Sequence, residues 1–309
     1  MANRKEFYFP SCDGKTQIHA VEWTPEGEAK GVYQIAHGVA EYALRYEPFA
    51  EFLTGKGFVV VANDHIGHGL SVADGAPALY FGAERGWMNV VDDMYALRNL
   101  TSQKYPRLPY FLMGHSMGSF LARTYLIRYP GTVSAAVIMG TGQQPGYMLA
   151  GGRTVANVIG KKHGFDKPNA AVSNLAFGSY NKPFEPRRTD FDWLSVNTEN
   201  VDRYIADPLC GGEATVGLFL DMLGGIAFIG KQANVARMDK NMPVLFISGA
   251  MDPVGDLGKG VRKACESFRQ AGVRDVTLKL YPGLRHEILN EAEREQVYAD
   301  IRAWIETHM

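Results

Sequence analysis

Short apolar runs alternate with helix-periodic stripes over most of this chain, and that alternation constrains its fold more than any other feature. Residues 32–36, 58–62, 110–113, 135–139 and 244–247 are dominated by Val, Ile, Leu, Phe, Met and Ala. They are too short for helices and read as buried strands. Between them lie helical stripes: Phe49, Phe52 and Leu53; Val90, Met94 and Leu97; Met117, Phe120, Leu121 and Ile127; Val261, Ala264, Cys265 and Phe268. Val276, Leu278 and Leu280 alternate as a last strand, and Val297, Ile301, Trp304 and Ile305 form the stripe of a last helix. Asn89 and Asn290 stand where helix N-caps are expected, the second with Glu293 three residues on. Asp13-Gly14, between residues 7–9 and 17–23, signals an antiparallel hairpin ahead of the alternation. The pattern predicts an α/β fold: a mostly parallel sheet with helices on both faces and functional loops at the strand C-termini.

The alternation lapses between residues 141 and 237, a segment with Pro145, Pro168, Pro183, Pro186 and Pro208 and several helical patches. So long a stretch predicts an inserted subdomain rather than a loop. The expected division is a core of 1–140 and 238–309 with 141–237 inserted. With 309 residues the chain can bury a core without metal or disulfide staples. Lys and Arg number 32 against 33 Asp and Glu, so no basic excess exists to collect phosphates and no nucleic-acid partner is expected. Cys12, Cys210 and Cys265 are too few and scattered for a disulfide framework, which fits a reducing cytoplasm. Residues 1–5 carry charge but lack the apolar core of a signal peptide. The longest apolar stretch, 216–229, is interrupted by Asp221 and three glycines and is too short to span a bilayer. A cytoplasmic protein is expected, with peripheral lipid contact left open; the oligomeric state is not legible.

The sharpest chemical signal is Gly114-His115-Ser116-Met117-Gly118, between an expected strand and an expected helix. That context lifts a serine hydroxyl above the sheet edge on a tight turn and puts the next backbone N–H, that of Met117, at a helix N-terminus. The same sequence can also be a plain glycine-flanked βα turn. A serine nucleophile needs a base and an orienting carboxylate, here expected in the order Ser, Asp or Glu, His. Asp252 follows the strand at 244–247, with Asp256 in reserve; a turn aspartate beside Pro253 is the plain alternative. His286 follows the strand at 276–280 and is the expected base, with Asp252 holding its other ring nitrogen. Val39, after His37-Gly38 at another strand end, is the expected second oxyanion donor. Asp64, His65 and His68 form a rival cluster for a metal, but without HExxH or HxHxDH spacing they read as a loop that buttresses the site.

With these residues in place, the chain resembles the α/β-hydrolase superfamily, and within it the monoacylglycerol lipase and lysophospholipase branch. The matching pieces are His37-Gly38-Val39-Ala40-Glu41 with Arg45-Tyr46, Asp64 to Ser71, Gly114 to Gly118, Asp207-Pro208-Leu209-Cys210, Ser248 to Asp252 and Tyr281 to Glu287. The resemblance implies a serine esterase that cleaves monoacylglycerol or lysophospholipid-type esters through an acyl-enzyme, with no cofactor and no metal. It implies that Ser116, Asp252 and His286 are catalytic, that Val39 and Met117 supply the oxyanion amides, and that 141–237 is a helical cap over an acyl tunnel. Glu41 and Arg45 match positions that organise the alcohol end of the pocket; their plain alternative is a structural ion pair. His37 and His115, beside the two glycine turns, complete the candidate substrate-binding residues. Tyr147, Met148, Leu149, Leu175, Phe177, Phe219, Leu220, Met222, Ile226 and Phe228 are candidates for the tunnel wall. Two positions depart from the branch: Tyr42 stands where it usually has His, and Leu289 where the mammalian lipases have a second His. A carboxylesterase on small non-lipid esters would share every catalytic residue, and a non-catalytic binding protein would share the fold.

Overall fold

The computed structural model describes residues 3–309; Met1 and Ala2, where the N-terminal reading begins, lie outside the described residues. The chain opens with β1 (Asn3–Pro10) and β2 (Gln17–Thr24), paired antiparallel from Asn3–Thr24 to Pro10–Gln17. Gly14 takes a φ of 73° in the reversal, and Asp13 Oδ1 accepts the amides of Lys15 and Thr16 at 2.7 and 2.8 Å. The expected alternation follows as β3 (Gly31–Ala36), α1 (Glu47–Thr54), β4 (Phe58–Asn63), α2 (Gly86–Lys104), β5 (Tyr110–His115), α3 (Met117–Arg128) and β6 (Ala135–Met139). Then come α4 (Gly146–His163), α5 (Ala170–Phe177), α6 (Thr198–Ala206), α7 (Val216–Ile229) and the short α8 (Gln232–Val235). β7 (Val244–Gly249), α9 (Lys259–Gln270), β8 (Val276–Tyr281) and α10 (Arg294–Glu306) complete the chain.

Among the described residues the strands form one eight-stranded sheet in the order β1-β2-β4-β3-β5-β6-β7-β8. β2 runs antiparallel to both neighbours, and every other neighbouring pair from β4 onward is parallel. This is the expected α/β class. Both faces are covered, which is why the strands read as continuous apolar runs. Val32, Val59, Leu112, Ile138 and Phe246 pack in one core with α2, α3 and α9. Tyr33, Val60, Met113, Val137 and Ile247, one position along each strand, pack in the other with α1 and α10.

Chain order reverses between β3 and β5, which lie side by side with Ala36 opposite Gly114. The loops that leave these two strands diverge there, the kind of crevice in which open α/β sheets bind ligands.

Both expected caps are corrected. α2 starts at Gly86, after Arg85 in the left-handed conformation (φ 54°), and Asn89 lies inside it, donating to the Glu84 carbonyl at 3.2 Å. α10 starts at Arg294 without a side-chain cap, because Asn290 donates instead to the Glu287 carboxylate at 3.0 Å. Trp304 is half-buried. The apolar stretch of α7 packs against α3 and α4. No helix of the described residues is long and apolar enough to cross a membrane.

Candidate active site

β5 ends at His115 and α3 begins at Met117, so Ser116 alone makes the turn. Its φ of 55° and ψ of −123° place a non-glycine residue in a sparsely populated region, a strain that functional sites carry. The flanking glycines explain how the turn closes: a Cβ on Gly114 would overlap the Gly118 carbonyl, and one on Gly118 the Ala36 carbonyl. The Ser116 amide donates to the Met139 carbonyl at 3.0 Å, and its own carbonyl accepts the Ser119 hydroxyl at 2.6 Å.

Two strands away, the turn after β7 brings Asp252 to His286: His286 Nδ1 lies 2.9 Å from Asp252 Oδ2. Asp252 is fully buried, and both its oxygens are engaged. Oδ2 also accepts the Ser248 hydroxyl at 3.1 Å, and Oδ1 accepts the Val254 amide at 2.9 Å. The ring of His286 lies between His115 (centroids 4.6 Å apart) and Trp193 (5.1 Å). His286 and Ser116 line the same cavity of about 470 Å³. Asp256, the reserve acid, is exposed and has no part in this arrangement.

The loop after β3 passes beside Ser116. A Cβ on Gly38 would meet Ser116 Cβ at 3.0 Å. Val39 and Ser116 border both this cavity and a smaller one, which Met117 also lines. Among the described residues, neither the Val39 nor the Met117 amide is hydrogen-bonded to a protein acceptor. Unsatisfied amides beside a serine hydroxyl are suited to receive an oxyanion.

His37 is buried and lines neither cavity. Its Nε2 accepts the His65 amide at 2.9 Å, which leaves the hydrogen on Nδ1, donated to the Gly38 carbonyl at 2.7 Å. That carbonyl belongs to the same planar peptide as the Val39 N–H. The expected substrate contact at His37 is therefore corrected: the ring holds the peptide behind the site.

Glu41 and Glu287 line the cavity, whereas Arg45 sits behind them and joins both. Arg45 Nη1 donates to Glu41 Oε2 at 2.6 Å, and its two Nη atoms reach Glu287 at 2.8 Å each. Arg45 thus makes a structural ion pair, and of the three only Glu41 and Glu287 line the cavity. Glu41 Oε1 accepts the Gly38 amide at 2.6 Å and the Tyr46 hydroxyl at 2.8 Å. Burial pushes the Glu41 carboxyl up, but the hydrogen bond with His115 and the charge of Arg45 outweigh it and hold the group well below the usual carboxylate range. Glu287 is likewise lowered, burial being outweighed by Arg45. His115 lines the cavity; its Nδ1 lies 2.8 Å from the Tyr46 hydroxyl and its Nε2 faces the His286 carbonyl at 3.3 Å. Burial lowers the His115 ring's pKa and Glu41 more than restores it, so the net shift is upward.

Tyr42 points away to Asp207 (2.8 Å), and Leu289 is buried in the core beside α10. Asp64 spends its carboxylate on the His19 ring and the amides of Ala43 and Leu70, at 2.8–2.9 Å. No group of side chains among the described residues assembles as metal ligands. Of the tunnel-wall candidates, Phe177, Met222 and Ile226 border a cavity, while Tyr147 is 77% exposed. Sequence reasoning missed Ser248, Glu287 and Trp193. The first two lie at the ends of the matching pieces Ser248 to Asp252 and Tyr281 to Glu287, where no role was read for them; nothing local marks Trp193.

Known proteins share this architecture. The family described as serine aminopeptidase, S33, matches residues 27–293. A monoacylglycerol lipase of Mycolicibacterium smegmatis is 31% identical over 315 aligned positions, covering 100% of this chain and 99% of that one. The monoglyceride lipase of Homo sapiens is 29% identical, covering 92% and 84%. The crystal structure of a thermostable carboxyl esterase from Bacillus coagulans in complex with glycerol superposes with a TM-score of 0.92 at 28% identity, over 99% of this chain and 98% of that one.

Proposed function

Because this chain belongs to the serine aminopeptidase S33 family of α/β-hydrolases, in its monoacylglycerol lipase branch, we propose that it is a serine hydrolase of carboxylic esters. The substrates proposed are of the monoacylglycerol or lysophospholipid type, one acyl chain on a polar alcohol. The observation that carries this reading is the 2.9 Å contact of His286 Nδ1 with buried Asp252, in the wall of the cavity that Ser116 also lines.

Ser116 Oγ attacks the ester carbonyl while His286 Nε2 takes its proton. Asp252 holds the imidazole in the tautomer that leaves Nε2 free, and stabilises the imidazolium that forms. The negative oxygen of the tetrahedral intermediate rests on the Val39 and Met117 amides, each worth about 10²–10³ in rate. The carbon–oxygen bond to the alcohol breaks and His286 returns the proton to the departing oxygen. Water, deprotonated by the same imidazole, then attacks the acyl-enzyme, releases the fatty acid and restores the Ser116 hydroxyl. No step calls for a cofactor or metal.

Residues 141–237 act in this reading as a cap. Their Phe177, Trp193 and Tyr204 close a cavity whose floor holds Ser116 and His286. The deciding experiment is hydrolysis of a monoacylglycerol by Ser116→Ala: a loss near ~10⁶ is expected if the triad acts as a unit. Turnover close to that of the unaltered protein would reject the reading.

A further inference from the structure

We propose that this enzyme is selective for short acyl chains carried on a larger, hydroxylated alcohol. The inference rests on the acyl-enzyme reading above and assigns the two halves of the ester to two spaces that meet at Ser116.

Ser116 borders both the large cavity and a smaller slot of about 40 Å³, which meet at Val39, Ser116, Phe177 and Trp193. The slot is walled by Met117 and Phe120 of α3, Met222 and Ile226 of α7, and Val254. Met222 and Ile226 are one helical turn apart, so one face of α7 roofs the slot. Both are buried, as are Met117 and Phe120.

His286 lines the large cavity and not the slot. The leaving alcohol must receive its proton from His286, so it departs into the space the imidazole faces. The acyl group, on the other side of the carbonyl carbon, lies in the slot.

The two spaces differ in size and chemistry as the two halves then require. An engineered apolar cavity of about 150 Å³ holds benzene, so about 40 Å³ has room for only the first carbons of an acyl chain. The large cavity has more than ten times the volume, and Glu41, Glu287, Asn174, Asn181, Arg187 and Glu213 border it. Carboxylates and amides there, beside apolar Phe177, Phe191, Trp193 and Leu194, give a hydroxyl-bearing alcohol hydrogen-bonding partners that the slot lacks.

The test is a series of glycerol monoesters of acetate, butyrate, hexanoate and decanoate, all in true solution, read as kcat/KM. Acetate or butyrate is expected to be best, and decanoate lower by about 100-fold or more, since one methylene too many in an apolar pocket costs about 10–200-fold. Shortening the roof with Met222→Ala is expected to move the maximum to a longer chain. If that variant does not fold, Ile226→Val makes a smaller opening, and its expected result is a higher decanoate-to-butyrate ratio. At fixed butyrate, the glycerol ester is expected to exceed the ethyl ester. Decanoate cleaved as well as butyrate, an unmoved profile in a folded roof variant, or a preference for the ethyl ester would overturn the inference. Failure of the acyl-enzyme reading looks different: Ser116→Ala would then cleave the butyrate ester as fast as the unaltered protein.

Discussion

The Nδ1 of His37 lies 2.7 Å from the carbonyl oxygen of Gly38, the far end of the peptide that carries the Val39 N–H. A rotation of that peptide would turn the amide away from Ser116, so this hydrogen bond sets the direction of one proposed oxyanion donor. His37→Ala is expected to lower kcat by up to about 10²–10³, the cost of one such donor, with KM little changed. Asn carries a donor near the position of Nδ1, so His37→Asn is expected to recover part of kcat, and His37→Gln, whose amide extends toward Nε2, to recover less. Steady-state kinetics beside thermal melting decide the point. A purely structural His37 would lower the melting temperature of all three variants without ranking them by kcat.

The Glu41–Arg45–Glu287 group ties the loop after β3 to the segment that carries His286. Glu287→Gln leaves a buried Arg45 short of one negative partner and is expected to cost about 3–5 kcal/mol. Both carboxyls lie lower in the folded protein than in the unfolded chain. Their stabilisation is therefore complete above the ordinary glutamate range, about pH 4–5, and is lost as pH falls through the lower folded values. Urea unfolding of the two proteins between pH 7 and pH 3 checks this. The gap between them should be widest at neutral pH and narrow on acidification; a constant gap would contradict the assignment.

Asp93 behaves in the opposite sense. It is buried under the first hairpin, where it accepts the Ser11 hydroxyl at 2.8 Å and the Cys12 amide at 2.6 Å. Burial pushes its carboxyl up to about 6. The folded protein thus holds a proton that the unfolded chain, titrating near about 4, has released. Stability from this group is present at low pH and lost as pH rises through about 6. Asp93→Asn keeps an oxygen for Cys12 and offers its amide to Ser11 without the charge. It is expected to be more stable than the unaltered protein at pH 7, by about 1–3 kcal/mol. It should also lose the Asp93 contribution to the slope between pH 4 and 6, as thermal melts across that range would show. A variant less stable at pH 7 would contradict the charge-burial account.

Much of this was legible in the sequence, for identifiable reasons. The strands were readable because burial on both faces removes the polar alternation. The elbow was readable because its constraint is local: Gly114 and Gly118 are dictated by carbonyls that a Cβ would strike. Asn89 and Asn290 misled because a capping residue type serves equally well as a donor, and each found an acceptor outside the capping position. The pairing of Arg45 with Glu287, 242 positions apart, depends on sheet order that no local pattern encodes. The cavity walls were readable only in part. Which face of α7 meets the slot is decided by its packing on α3 and α4, and that leaves Met222 inside while Tyr147 of α4 faces outward.

The central claim is that Ser116 is made nucleophilic by His286 and Asp252, and the most direct measurement is fluorophosphonate labelling with the modified peptide identified by mass. One label per chain is expected, on Ser116, with ester hydrolysis lost in proportion to labelling, and with Asp252→Asn labelling about 10⁴-fold more slowly. Label on a different residue, or full hydrolytic activity in a protein fully labelled at Ser116, would contradict it.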